Sequence, residues 1–242
     1  MVRFAVFWLC LVAAVSAALA DARQDCTNFD LKSDVAIKAC NEAILKDPKD
    51  SSLYVARAGH HGQKGDLDRA IVDFTQAIKM EPRDADTYKF RGMAFREKNE
   101  YDRALADFNK AIEINPAIAE HFSERGYIYH SKKEYERAIS DYNKALEIDA
   151  RHAFAYAYRG RSYLQWGYID HAIADFRTAL EIKLDDRGVE MATYLNLAKA
   201  YEKKGDKMRA IDDYRRAYAL TTDKGELNEI AADLKRLGAA PP

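Results

Sequence analysis

The sequence predicts an all-α solenoid of stacked helix–turn–helix units, and three observations carry that prediction. Alanines recur at a near-constant interval over most of the chain, and aromatic residues keep the same phase. Prolines close several of the intervals. Each interval reads as two helices joined by a tight turn, a unit that cannot bury its apolar faces alone and must stack on its neighbours.

The registers are explicit. Ala70, Ala104, Ala138, Ala172 and Ala210 mark one, with three intervals of 34 residues and a last one of 38. Ala77, Ala111, Ala145, Ala179 and Ala217 mark a second. Phe74, Phe108, Tyr142, Phe176 and Tyr214 form an aromatic register, and Tyr54, Tyr88, Phe122, Tyr156 and Tyr194 another. Gly92, Gly126 and Gly160 hold a slot that Ala58 and Ala198 share. Small residues there let the two helices of a unit approach closely, while the aromatic residues fill the space between and beside them. Pro48, Pro82 and Pro116 stop second helices, because proline cannot continue the hydrogen-bond ladder.

In the third unit Phe122, Gly126, Tyr129, Ala138, Tyr142 and Ala145 together resemble the tetratricopeptide repeat family. The resemblance covers five units, 51–84, 85–118, 119–152, 153–186 and 191–224. It implies a right-handed superhelical solenoid whose first helices line a concave groove that binds polypeptides. Carrying over the family's inward positions gives Asp86, Lys89, Met93 and Arg96 in the second unit and Glu120, Ser123, Tyr127 and His130 in the third. The fourth gives Phe154, Ala157, Arg161 and Leu164, with Tyr158 beside the row, and the fifth gives Ala192, Leu195, Lys199 and Glu202. Tyr127, Tyr158 and Arg161 are of the types that dominate hot spots. The carboxylate clamp of the chaperone-binding members is not expected. Lys89 fits it, but Met93 stands where asparagine is needed, and Ser123 and Glu124 stand where further donors are needed.

Departures from the repeat are informative. The fifth unit is offset by four residues, and Asp185–Gly188 reads as a longer inter-repeat loop. His61 takes the slot of Phe95, Tyr129, Tyr163 and Tyr201. A half unit at 21–50 carries Ala36, Ala43 and Pro48, with Cys40 in the slot of Phe74 and Phe108. At the other end Leu227, Ile230, Ala231, Leu234 and Leu237 share one helical face before Gly238, which predicts a capping helix at 225–238.

Residues 1–20 read as a secretory signal. Arg3 is followed by an uncharged apolar run from Phe4 to Leu19, which ends in Ala18-Leu19-Ala20. An uncleaved membrane anchor is the alternative. Cleavage would leave Cys26 and Cys40, an even number in an exported chain, which suggests a disulfide. By register both lie on one helix pair, where a bridge would cap the half unit. Two free thiols or a metal pair are the other readings. No second Cys or His pair at ligand spacing supports the metal.

Charge excludes several functions. Without Arg3 the chain carries 37 basic and 39 acidic residues, and the signs alternate instead of forming blocks. No basic stripe offers a nucleic-acid footprint or a membrane patch. No phosphate loop, zinc-protease motif or nucleophile elbow is present. His60 and His61 are adjacent on a helix and point about 100° apart, wrong for a shared ion. Trp166 reads as packing on the turn at Gly167, and Asp185-Asp186 and Asp212-Asp213 read as solvated.

The expected function is therefore a non-catalytic scaffold without cofactor or metal. It would hold a partner peptide or helix in the groove, in the bacterial periplasm or another exported setting. The expected groove residues are Lys89, Met93, Arg96, Glu120, Tyr127, His130, Phe154, Tyr158, Arg161 and Lys199. No stable membrane insertion is expected after cleavage. A membrane-anchored assembly factor is one alternative, and an enzyme framed on an α/α solenoid is another.

Overall fold

The computed structural model describes residues 21–242, so the expected signal at 1–20 lies outside the described residues. All regular structure among the described residues is helical. The described residues divide into two compact bodies, 21–115 and 116–242. The first contains α1 (21–27), α2 (Ser33–Lys46), α3 (Ser51–Gln63), α4 (Leu67–Met80), α5 (Ala85–Glu97) and α6 (Tyr101–Ile114). The second contains α7 (Ala119–Ser131), α8 (Tyr135–Ile148), α9 (Ala153–Trp166), α10 (Ile169–Ile182), α11 (Arg187–Lys204), α12 (Lys207–Leu220) and α13 (Lys224–Arg236).

Helix ends follow local chemistry. Asp50, Asp66, Asp84, Asp186, Asp206 and Asp223 each accept a hydrogen bond from an N–H in the first turn of the helix that follows. α4 stops two residues before Pro82 and α6 two residues before Pro116. The turn within a unit needs a left-handed residue. Gly65, Gly167 and Gly205 supply it, but Asn99 (φ 59°) and Lys133 (φ 64°) do so in the second and third units.

The small register works by contact. A Cβ on Gly92 would lie 2.8 Å from the Phe108 ring, on Gly126 3.0 Å from Tyr142, and on Gly160 2.9 Å from Phe176. These rings fill the space where the paired helices touch, and Phe108, Tyr142 and Phe176 are fully buried.

A second ladder accompanies the apolar one. Arg57, Arg91, Arg125 and Arg159 on the first helices each grip an aspartate on the second helix of the same unit. The partners are Asp73, Asp107, Asp141 and Asp175. In all four, Nε donates to Oδ2 at 2.8 Å and Nη2 to Oδ1 at 2.7 Å. Three of them also reach back to the preceding unit. Nη1 of Arg57 donates to Asn41, that of Arg91 to Thr75 and that of Arg159 to Asn143. Each of these three guanidinium groups thus ties two units, while gripping its aspartate in a bidentate geometry. Hydrogen bonds to aspartate raise the pKa of Arg57, Arg125 and Arg159, in the last case against a larger desolvation.

Two expectations are corrected. Asp185–Gly188 is not simply a longer loop. Arg187 and Gly188 are already helical behind the Asp186 cap, and α11 has 18 residues where α3, α5 and α7 have 13. The four-residue insertion is absorbed as about one extra turn, which preserves the apolar face. Asp213 is not solvated but 5% exposed. It holds the register of the four clamped aspartates, whereas Leu197 replaces the arginine.

Both termini are capped. Cys26 on α1 and Cys40 on α2 form a disulfide with Cα atoms 4.5 Å apart, and both are fully buried. The His60 Nε2 lies 2.9 Å from the Cys26 carbonyl oxygen, and Phe29 stacks on the His60 ring at 4.5 Å. At the other end Ile230 and Leu234 of α13 join Ala198, Ile211, Tyr214 and Ala217 in one apolar cluster.

Candidate protein-binding groove

In the second body the first helices of consecutive units are direct neighbours, α7 touching α9 and α9 touching α11. This follows from the small residues on α9. Ala153, Ala155, Ala157 and Gly160 are all buried, so the backbone itself comes close.

Three aromatic residues meet here. Tyr127 contacts Tyr158 edge to face at 5.5 Å, and Tyr158 stacks on Tyr142 at 6.5 Å. The Tyr142 hydroxyl is buried without a hydrogen-bond partner, and desolvation pushes its pKa well above that of a free phenol. Arg161, one turn beyond Tyr158, is exposed and forms no ion pair among the described residues. It borders a cleft of about 110 Å³ shared with Tyr158, Val189, Ala192, Thr193 and Asn196. The extra turn of α11 supplies one wall, through Gly188 and Val189.

His130 sits in the same neighbourhood. Its Nδ1 is 2.9 Å from Ser162 Oγ. Burial, with the Arg161 charge as a second cause, lowers its pKa to about 4. The imidazole is therefore neutral near pH 7 and offers a neutral polar edge.

The other expected residues are placed as follows. Phe154 is half-buried and 6.5 Å from the His152 ring. Glu120 and Lys199 are exposed. Ala157 and Leu164, on the inward row, are buried and serve packing. Glu202 is committed to the cap. It accepts from Arg236 and from the Tyr214 hydroxyl at 2.6 Å, and these bonds lower its pKa. In the first body, Lys89 is 3.3 Å from Asp86 with its ammonium 4.8 Å from the Phe90 centroid. Arg96 lies 3.9 Å from Glu97, and Met93 is half-buried. The structure thus gathers Tyr127, His130, Tyr158 and Arg161 into one patch. It adds Ser162, Thr193 and Asn196, which sequence reasoning had not selected. Asn196 follows Leu195 of the inward row directly, so only its neighbour's register pointed to it.

No group of three or more His, Cys, Asp or Glu side chains among the described residues is arranged to hold a metal. Trp166 is 44% exposed and meets Tyr168 of the turn at 4.9 Å. No described helix is long and apolar enough to cross a membrane.

Comparison with known proteins gives a consistent picture. Crystal structures of similar shape include YrrB, described as a TPR protein with an unusual peptide-binding site. It has 20% identity, a TM-score of 0.60, and coverage of 83% of this chain and 100% of that one. A thermophilic TPR protein from Thermus thermophilus, TTC0263, has 19% identity, a TM-score of 0.64, and coverage of 76% and 99%. MamA has 26% identity, a TM-score of 0.57, and coverage of 62% and 88%. No curated protein matches the chain significantly. Tetratricopeptide repeat models match residues 51–84, 85–117, 119–152, 155–186 and 192–224. With five matched units spanning most of its length, and helix pairs at each of them, the chain belongs to the tetratricopeptide repeat family.

Proposed function

We propose that the protein is a non-catalytic scaffold of the cell envelope or another exported setting, and that it holds an extended segment or helix of a partner polypeptide along α7, α9 and α11. The observation that carries this is the patch formed by Tyr127, Tyr158 and Arg161. It combines two half-buried aromatic rings with a guanidinium that has no ion-pair partner among the described residues, beside a cleft. Aromatic and arginine side chains dominate interface energetics, and concave surfaces are where ligands bind. The peptide-binding site of YrrB, a protein of similar fold, supports the same reading. Export rests on the apolar run and Ala18-Leu19-Ala20, with a mature start at Asp21.

The test is capture by photo-crosslinking at Tyr127 and Tyr158 in the native envelope fraction, compared with a Tyr158→Ala, Arg161→Ala double variant. The variant should lose the crosslinked partner while keeping its helicity. Normal capture by a folded double variant would sink the groove assignment. Mass spectrometry of the exported chain tests the processing, and residues 1–20 retained in a membrane fraction would replace it with the anchored form.

A further inference from the structure

We propose that the flank of the first unit carries a second binding site, which takes the ring of a tyrosine side chain from a partner polypeptide between His61 and Arg69. At this register the first unit leaves out a part that other units carry. In the second, third and fifth units a first-helix aromatic ring sits under a second-helix guanidinium. Arg103 lies 3.9 Å from the Phe95 centroid, Arg137 3.9 Å from Tyr129 and Arg209 5.4 Å from Tyr201. The first unit keeps the guanidinium, as Arg69, but has the smaller imidazole of His61 in the ring slot.

The space left behind is measurable. The cleft at this register is about 450 Å³ in the first unit, lined by Ile37, His61, Arg69 and Val72 beside the Arg57–Asp73 clamp. Where Tyr201 fills the slot in the fifth unit, the corresponding cleft is about 180 Å³. The larger cleft is the size of an ordinary ligand pocket.

Its lining suits a phenol. Val72 is 67% exposed, an apolar wall where other units have Ala106, Ser140, Ala174 or Asp212. Arg69 is exposed and its one ion pair among the described residues is with Asp66 at 3.2 Å, so it can swing to lie over a ring as Arg103 and Arg137 do. His61 is 7% exposed, and its side chain makes no hydrogen bond among the described residues. Burial lowers its pKa, which keeps the ring neutral, with one nitrogen able to accept from a phenol hydroxyl. That preference selects tyrosine over phenylalanine. The site lies off the inward row and does not depend on the groove reading.

The experiment is an NMR titration of the native protein with N-acetyl-tyrosinamide, following the methyl groups of Ile37 and Val72. Saturable shifts are expected there, and none from N-acetyl-leucinamide at equal concentration. His61→Tyr places the chain's own ring in the slot, as Tyr129 and Tyr201 do, and should abolish the shifts. Val72→Asp, an exposed position where the fifth unit has Asp212, should weaken binding several-fold. The groove double variant should bind the probe normally, which separates failure of this site from failure of the groove. Absence of saturable shifts in the native protein would overturn the proposal, as would an unchanged midpoint in folded His61→Tyr. If His61→Tyr does not fold, an unchanged midpoint in Val72→Asp overturns it equally.

Discussion

The first four units and the fifth solve one electrostatic problem differently. Each carries a buried aspartate on its second helix. In the first four, an arginine on the first helix neutralises it with two short hydrogen bonds. In the fifth, Leu197 replaces that arginine, and Arg177 stands on α10 where earlier units have Asn41, Thr75 or Asn143. Asp213 is left with Arg216 at 3.7 Å, beyond hydrogen-bonding distance. Burial then dominates and raises its pKa to about 6. The same residue type in the same register is held by two guanidinium hydrogen bonds in one setting and has its pKa raised by burial in the other. The neighbour decides, not the burial, since all five aspartates are 5–6% exposed.

The largest way to break this contrast is to make another unit resemble the fifth. Arg159→Leu should leave Asp175 buried without its counter-charge and cost about 3 kcal/mol, since removing one partner of a buried pair strands the other. Hydrogen exchange should show the loss concentrated in α9 and α10. An unchanged protection pattern would mean that the clamp contributes only geometry. Reduction of Cys26–Cys40 ranks next, at up to about 3 kcal/mol in the chain-entropy model for a short loop. It should loosen residues 21–50 and leave the units beyond the second largely protected, because repeat arrays couple mainly to nearest neighbours. A thiol count of two on the native protein would remove the bridge.

A change of pH sharpens the comparison, because two regions respond with opposite sign. The folded pKa of Asp213, about 6, lies above its unfolded value, so the buried charge burdens the fold above pH 6. That burden is relieved as pH falls from about 7 towards about 4. The folded pKa of His130, about 4, lies below its unfolded value, so stability around it is lost as pH falls from about 6.5 towards 4. Between pH 7 and 5, exchange should slow in α12 and α13 and quicken in α7 and α9, each by roughly 1–2 kcal/mol. Asp213→Asn should abolish the first change only. If both regions moved together, the local assignment would fail.

The smallest test uses the two tyrosines in the aromatic register. The Tyr214 hydroxyl donates to Glu202, whereas the Tyr142 hydroxyl has no partner. Tyr214→Phe should therefore cost about 1 kcal/mol, while Tyr142→Phe should be neutral or slightly stabilising. Thermal unfolding of both variants decides the matter, and equal losses would mean that Tyr142 has a partner after all.

The sequence made most of the fold legible because apolar registers are read by repetition alone. Gly126, Ala138 and Tyr142 name a contact that the structure contains. The clamp is equally periodic, with Arg57, Arg91, Arg125 and Arg159 spaced like the alanines, yet charged residues on helices are ordinarily solvated, so their period alone does not announce a buried pair. Asp213 was misread for that reason. The fixed spacing of 16 residues between each arginine and its aspartate was the available signal. The groove was legible as a row of positions but not as a patch. Which of them meet depends on how closely α7, α9 and α11 approach, and buried alanines set that distance.

The added turn of α11 shows how such a chain can change length without changing sense. Lys64 pairs with Asp34, and Lys98 with Asp68, at separations of 30 residues. Across the insertion Lys204 makes the same pair with Asp170 at a separation of 34. Four residues are nearly one full rotation, so everything downstream keeps its facing, much as a reading frame survives a gain of three nucleotides. Insertions of four would then be the tolerated step in this architecture, and those of two the disruptive one. The wall of the cleft beside Arg161 can be raised or lowered by whole turns while the array behind it stays in phase.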